Sequence, residues 1–126
     1  MRTLSPSAAR GRRAEALACR HLERQGFVIE RRNVRFPVGE LDIVAREGQT
    51  LCFIEVRSRT GGQWGDALES VTARKRQRLV QAARWYLRAQ RSAPALMRFD
   101  VVAIEWREGG SPAVELLRGA FDAAAW

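Results

Sequence analysis

Two carboxylates in a predicted β-hairpin are the side chains of this sequence best placed to do chemistry. Gly48-Gln49 separates two apolar runs and suits a two-residue turn, with glycine first as a type II′ turn prefers. Pairing outward from that turn places Asp42 directly opposite Glu55. Like charges directly opposite each other destabilise a sheet, so this register requires a compensating group.

Three arrangements would relieve that repulsion. The carboxylates can share one proton, which raises one pKa. Neighbouring arginines can neutralise them, or a divalent cation can lie between them, since Mg²⁺ commonly binds one or two carboxylates together with water and phosphate oxygens. The competing interpretation is that Glu40 and Arg57 form an exposed cross-strand ion pair. Asp42 and Glu55 would then be solvated, although an apolar neighbour on each strand argues against full solvation.

Glu15 is a third acidic candidate. It precedes Leu22 by seven residues on a predicted helix, so the two differ by only about 20° around the helix axis. Glu15 therefore lies at the edge of the apolar stripe, where it could reach the same site as the hairpin carboxylates. The alternative is a solvent-facing ion pair, for example with Arg12.

The elements that must position these residues follow from periodicity, caps and turn residues. The pattern predicts the order α-β-β-β-α-β-β, an α/β fold with a mixed β-sheet flanked by helices. Within the hairpin, one strand face is uniformly apolar and is predicted to be core; it carries Leu41, Ile43 and Ala45 against Cys52, Ile54 and Val56. The predicted elements are a helix from Ser5-Pro6 to Gly26, strands at about 27–36, 40–47 and 50–58, a loop over 60–70, a helix capped by Thr72 and ending near Arg91, and strands at 99–106 and 114–117.

Composition limits the class of partner. The chain has 126 residues, which predicts one domain spanning 1–126, with 1–7 flexible and 107–126 a variable C-terminal segment. Its 22 basic residues exceed 14 acidic ones, giving a net charge of +8, which favours a polyanion such as nucleic acid over a role in solubility alone. Two cysteines in apolar contexts favour reduced thiols and a cytoplasmic protein. The sequence shows no signal peptide and no apolar run of membrane-spanning length, so we expect no membrane partner.

Five segments together resemble the YraN-like family of predicted endonucleases, which is similar to archaeal Holliday-junction resolvases and has the restriction-endonuclease-like fold. The resemblance covers about residues 8–106, and the spacing of the segments together is more specific than any one of them. The segments are GRRAEALACRHL around Glu15, GELDIV at 39–44, FIEVR at 53–57, VTARKRQRL at 71–79 and RFDVV at 98–102.

The resemblance implies a metal-dependent endonuclease that acts on DNA, with branched or junction DNA as a possible substrate, Mg²⁺ or Mn²⁺ as cofactor and a possible homodimer. It matches Asp42 and Glu55 to the metal-binding acidic pair, with the carbonyl of Val56 as a further ligand. Glu15 matches the helical glutamate, which would bind a second ion or orient water, and Arg57 occupies the position of the motif lysine. The residues expected to hold the nucleic acid are Arg12, Arg13, Arg57, Arg59, Arg74, Lys75 and Arg78.

Arg57 is the departure from the family pattern. Arginine stays protonated and cannot act as a general base, although it can stabilise charge on a phosphate. A module of the same fold that binds nucleic acid without cutting it is therefore the alternative. A third hypothesis is a basic protein that docks on an acidic partner or an RNA–protein assembly, with structural carboxylates. Lys75, the only lysine of the sequence, is either a phosphate contact or a solvated residue in the first turn of its helix.

Overall fold

The computed structural model describes residues 6–60, 68–90, 94 and 96–122, with side chains from Ala9 onward. The order of the elements matches the predicted one, so the α/β fold class is confirmed. The predicted loop over 60–70 and the expected flexible segment 1–7 fall largely outside the described residues. The elements are α1 (Pro6–Arg24), β1 (Val28–Phe36), β2 (Gly39–Glu47), β3 (Thr50–Thr60), α2 (Ala73–Arg88), β4 (Leu96–Trp106) and β5 (Ala113–Phe121).

The five strands form one mixed sheet in sequence order. β3 and β4 are parallel, because the connection between them crosses over through α2, and the other neighbouring pairs are antiparallel. Helix α1 packs on one face, where its buried alanines and Leu22 join Ile43 and Ile54. Helix α2 packs on the other, where Leu79 and Tyr86 join Phe53. The sheet is therefore covered on both sides.

The β2–β3 hairpin has the predicted register, with pairs running from Glu47–Thr50 at the turn to Ile43–Ile54. Gly48 has a φ of +60°, whereas Asn33 alone among the described non-glycine residues has a positive φ, which fits a type II′ turn and excludes type I′. The prediction for Leu41 was wrong. Leu41 packs in the α2-side cluster rather than with Ile43, because β2 has separated from β3 before it reaches that position.

No helix in the described part of the chain is long and apolar enough to cross a membrane. Both cysteines, Cys19 and Cys52, are buried and unbonded to each other, as predicted. Burial is also the main reason that the pKa of Cys52 rises to about 12, so this thiol is unreactive at neutral pH.

An ion cluster joins the hairpin turn to the last two strands. Arg98 lies 2.7 Å from Glu47 and 2.7 Å from Asp100, which is fully buried. Arg118 forms a second pair with Glu47, with nitrogen and oxygen 2.6 Å apart. The cluster lies at the turn end of β2 and β3, so its role is to hold the sheet together at the end opposite Asp42.

The Glu47 pairs predict a defined acid sensitivity. Hydrogen bonds from Arg118 and Arg98 lower the pKa of Glu47 from 4.5 to about 2. Its contribution to stability is therefore complete above pH 4.5 and is lost as the pH falls through 2. We expect Glu47→Gln to lower the free energy of unfolding by about 1 kcal/mol at pH 7 and by much less at pH 2, where half of the carboxyl is protonated in the folded state. Urea unfolding at both pH values checks this, and an equal loss at both would contradict an electrostatic origin.

Candidate active site

The candidate site lies where the sheet forks. The pairing between β2 and β3 ends at Ile43–Ile54, while β3 continues alongside β4 through Thr60. The carboxylate of Asp42 enters the gap and accepts a hydrogen bond from the N–H of Val56 at 2.9 Å. In a strand the N–H and C=O of one residue face the same neighbour, so the carbonyl of Val56 also faces the fork. The fork thus brings together the Asp42 carboxylate and the Val56 carbonyl, and in a continuous ladder that carbonyl would have bonded to β2.

Asp42 and Glu55 lie together in this fork, as the hairpin register predicts. Both line a cleft of about 380 Å³ on the α2 side of the sheet. Burial, and then the negative charge of Glu55, raises the pKa of Asp42 from 3.8 to about 7, although the hydrogen bond from Val56 opposes the rise. Glu55 is only 6% exposed and Asp42 is half-buried, so the interpretation in which both carboxylates are fully solvated was wrong for Glu55.

Two cations approach the same oxygen of Glu55. Lys75 Nζ lies 3.1 Å from Oε1, and a terminal nitrogen of Arg57 lies 3.7 Å from it. Lys75 is in the first turn of α2, which Thr72 caps by accepting a hydrogen bond from the Lys75 N–H at 3.2 Å. Lys75 is therefore a member of the site rather than a solvated lysine.

Arg57 is directed mainly away from the carboxylates. Its Nε donates to Ser70 Oγ at 2.9 Å, and a terminal nitrogen lies 3.5 Å from the Ser70 carbonyl. Glu40, the expected partner of Arg57, instead lies 3.7 Å from Arg35. The contact with Ser70 was not predicted, because it joins β3 to the segment before α2 and no periodic pattern carries it.

Glu15 lies on the other side of the fork. It is buried on α1, where it accepts hydrogen bonds from Arg32 at 2.9 Å and from Asn33 at 2.8 Å rather than pairing with Arg12. Together with Asp42 it lines a second cleft of about 540 Å³. Among the described residues no three His, Cys, Asp or Glu side chains are grouped closely enough to hold one ion, so Glu15 does not join Asp42 and Glu55 in a single ligand set.

The predicted nucleic-acid-binding residues divide between the clefts. Arg74, Lys75 and Arg78 line the first, and Arg12 lines the second. Two others lie elsewhere: the guanidinium of Arg13 stacks 5.0 Å from the centre of the Trp106 ring, and Arg59 is half-buried on β3. Arg35 and Asn33 were missed. Arg35 could have been found from the antiparallel pairing of the arginine-rich strand β1 with the strand that carries Asp42.

Gly39 forms a close contact between the walls of the first cleft. A Cβ atom at this position would lie 3.1 Å from the carbonyl oxygen of Arg78 on α2. That separation is shorter than ordinary van der Waals contact between carbon and oxygen atoms. The start of β2 therefore touches the backbone of α2 only because residue 39 has no side chain.

Comparison with known proteins places these residues in a family context. The profile of the uncharacterised protein family UPF0102, the YraN-like group, matches residues 14–104. The chain is 47% identical over 116 residues to a UPF0102 protein of Pseudomonas aeruginosa, covering 90% of this chain and 93% of the relative. It is similarly related to UPF0102 proteins of Syntrophotalea carbinolica, at 46% over 116 residues (92% and 94% covered), and of Desulfosudis oleivorans, at 43% over 113 residues (90% and 89% covered).

Proposed function

This chain belongs to the family UPF0102, and we propose that it is an endonuclease that hydrolyses phosphodiester bonds of DNA with a bound Mg²⁺ or Mn²⁺. One observation carries the proposal: buried Glu55 and half-buried Asp42 converge in a cleft whose other polar residues are mostly cationic. A purely structural carboxylate pair has no need of an open, basic cleft, whereas a phosphate substrate requires one.

The oxygen atoms of the fork fit a hard divalent cation. Asp42, Glu55 and the carbonyl of Val56 would hold the ion, because carboxylate and carbonyl oxygens suit Mg²⁺ and Mn²⁺. A cation there would also offset the burial and the negative charge of Glu55, which together raise the pKa of Asp42 to about 7. When bound, the ion supplies Lewis-acid stabilisation of the phosphate and a water molecule of lowered pKa.

The protein side chains have separate tasks in this proposal. Arg74 and Arg78 are exposed at the mouth of the cleft and hold the DNA backbone, which gives salt-dependent and sequence-independent affinity. Arg12 and Arg35 hold the DNA strand where it passes the second cleft. Glu15 orients the β1 edge next to Asp42 through its hydrogen bonds to Arg32 and Asn33.

Arg57 favours a second candidate, a DNA-binding module that does not cut. Its guanidinium cannot lose a proton to become a base. Its hydrogen bonds with Ser70 also hold it partly out of the cleft. A protein of this kind would bind branched DNA through the same basic residues and release it unchanged.

A cleavage assay distinguishes the two candidates. Labelled duplex, flap and four-way DNA are incubated with the protein in Mg²⁺, in Mn²⁺ and in EDTA. We expect cleavage only with a divalent cation, and we expect Glu55→Gln to reduce the rate by about 10²–10³-fold because a ligand of the charge-stabilising ion is lost. Glu23→Gln, at an exposed position of α1, is the matched control and retains the wild-type rate. Binding without any cleavage would select the second candidate, and equal cleavage by Glu55→Gln would exclude this site.

A further inference from the structure

Lys75 places an ammonium group beside Glu55 in the first cleft. Its Nζ lies 3.1 Å from Glu55 and lines the cleft that Asp42 and Glu55 share. The side chain is 37% exposed, so it can reach both the buried carboxylate and a ligand in the cleft. An ammonium group has three donors, and one contact with Glu55 leaves two for phosphate oxygens.

The other cation near Glu55 is held differently. Arg57 uses Nε and a terminal nitrogen on Ser70, and its closest approach to Glu55 is 3.7 Å. Ser70 precedes buried Val71 and the cap residue Thr72, so these hydrogen bonds brace the connection from β3 into α2. Arg57 thereby helps to fix the helix turn that presents Lys75.

We propose that Lys75 is the catalytic lysine of this site, which contacts the scissile phosphate from the first turn of α2, while Arg57 at the motif position is a structural brace. The proposal rests on the nuclease function inferred above. It assigns the phosphate contact to a residue on a different element from the one indicated by the strand motif. The geometric reason is that both side chains approach the same oxygen of Glu55, and of the two only Lys75 lines the cleft.

Binding measurements test the contact without requiring cleavage. The affinity for a fluorescent four-way junction is measured in EDTA between 50 and 200 mM KCl, a range over which phosphate contacts are strongly weakened. We expect Lys75→Met to reduce the slope of log affinity against log salt by about 1, as loss of one phosphate contact should. The control Arg20→Met, on the exposed side of α1, should leave the slope unchanged, and Arg57→Met should change it by less than Lys75→Met does, because Arg57 acts only through the turn that it braces. The opposite pattern, with Arg57→Met alone reducing the slope, would overturn the assignment.

Chemical modification gives an independent readout of the same contact. Lys75 is the only lysine, so amine-selective acylation of a single peptide reports on it by mass spectrometry. Bound junction DNA should slow this acylation strongly. Equal acylation rates in free and DNA-bound protein would contradict a phosphate contact at Lys75.

Restoration of the ammonium group tests the catalytic role of Lys75. Lys75→Met should cut single-turnover cleavage about 100-fold, as removal of one charge-stabilising donor does. Lys75→Cys treated with 2-bromoethylamine regains an ammonium group of similar length, and both native thiols are buried and so protected. We expect this treatment to restore most of the cleavage rate without changing the melting temperature. Unchanged activity in Lys75→Met would contradict the catalytic role.

The two proposals fail in different ways. Wild-type protein that binds the junction but cuts nothing removes the nuclease function and with it the catalytic role of Lys75. The salt slope and the acylation rate then still decide whether Lys75 contacts phosphate. Wild-type protein that binds none of the DNA molecules overturns both.

Discussion

Replacing Asp42 with asparagine is expected to stabilise the metal-free protein above pH 7 and to abolish its uptake of divalent cations. Burial and the charge of Glu55 raise the pKa of Asp42 from 3.8 to about 7. Below pH 3.8 the carboxyl is protonated in the folded and unfolded states alike. Between 3.8 and 7 the folded state retains a proton that the unfolded state releases, so stability falls as the pH rises. Above pH 7 Asp42 is ionised in the folded state as well. The folded protein then carries the whole free-energy cost of that charge, with an upper limit of about 4 kcal/mol.

Asparagine removes this cost because it is neutral and can still accept the hydrogen bond from Val56 through its amide oxygen. The free energy of unfolding in urea and EDTA should therefore favour Asp42→Asn by more at pH 8 than at pH 5. Added MnCl₂ should stabilise the wild type and leave the variant unchanged. Asp122→Asn, at an exposed position after β5, is the control. A variant less stable than wild type at pH 8, or a wild type indifferent to Mn²⁺, would contradict the shared site.

Arg98→Met should be the most destabilising single substitution that we propose. Asp100 is fully buried, and Arg98 makes two of its hydrogen bonds, at 2.7 and 2.9 Å. The N–H of Gly119 supplies another at 2.9 Å. Without Arg98 the carboxylate would be a buried charge with too few partners, which costs about 3–5 kcal/mol. We expect the melting temperature to fall by more than about 10 °C.

Two further variants separate charge pairing from simple loss of packing. Arg118→Met removes a cation that is 43% exposed and contacts only Glu47 within this cluster, so it should cost about 1 kcal/mol or less. The double variant Arg98→Met, Asp100→Leu should recover most of the stability, because it removes the unpaired charge as well. A double variant as unstable as Arg98→Met would show that the aliphatic stem of Arg98, rather than its charge, is what matters.

The sequence determines much of the fold through local signals. Gly48 places a turn whose register follows by counting, and the alternation on either side identifies the buried strands. Thr72 marks the start of α2 because its side chain can cap the first turn. These signals are short-range, so they predicted the order of elements and brought Asp42 and Glu55 together.

The remaining features of the site depend on distances between elements that are remote in sequence. Lys75 reaches Glu55 only because α2 crosses the sheet at one particular angle, and nothing in the helical periodicity fixes that angle. Glu15 was predicted to face the sheet and does, yet its partners Arg32 and Asn33 place it in the second cleft. Leu41 departed from strict alternation because the fork begins beside it, which a regular strand pattern cannot anticipate.

The first cleft has its width because residue 39 carries a hydrogen atom where any other residue would carry a Cβ atom. One wall carries Asp42 three residues farther along β2, and the opposite wall carries Lys75 one turn before Arg78. An alanine at position 39 would force the Arg78 carbonyl back by a few tenths of an ångström. Because the helix and the strand are both stiff, that displacement would change the distance between the lysine and the carboxylates. The size of residue 39 thus sets the spacing of the site, although Gly39 takes no part in its chemistry.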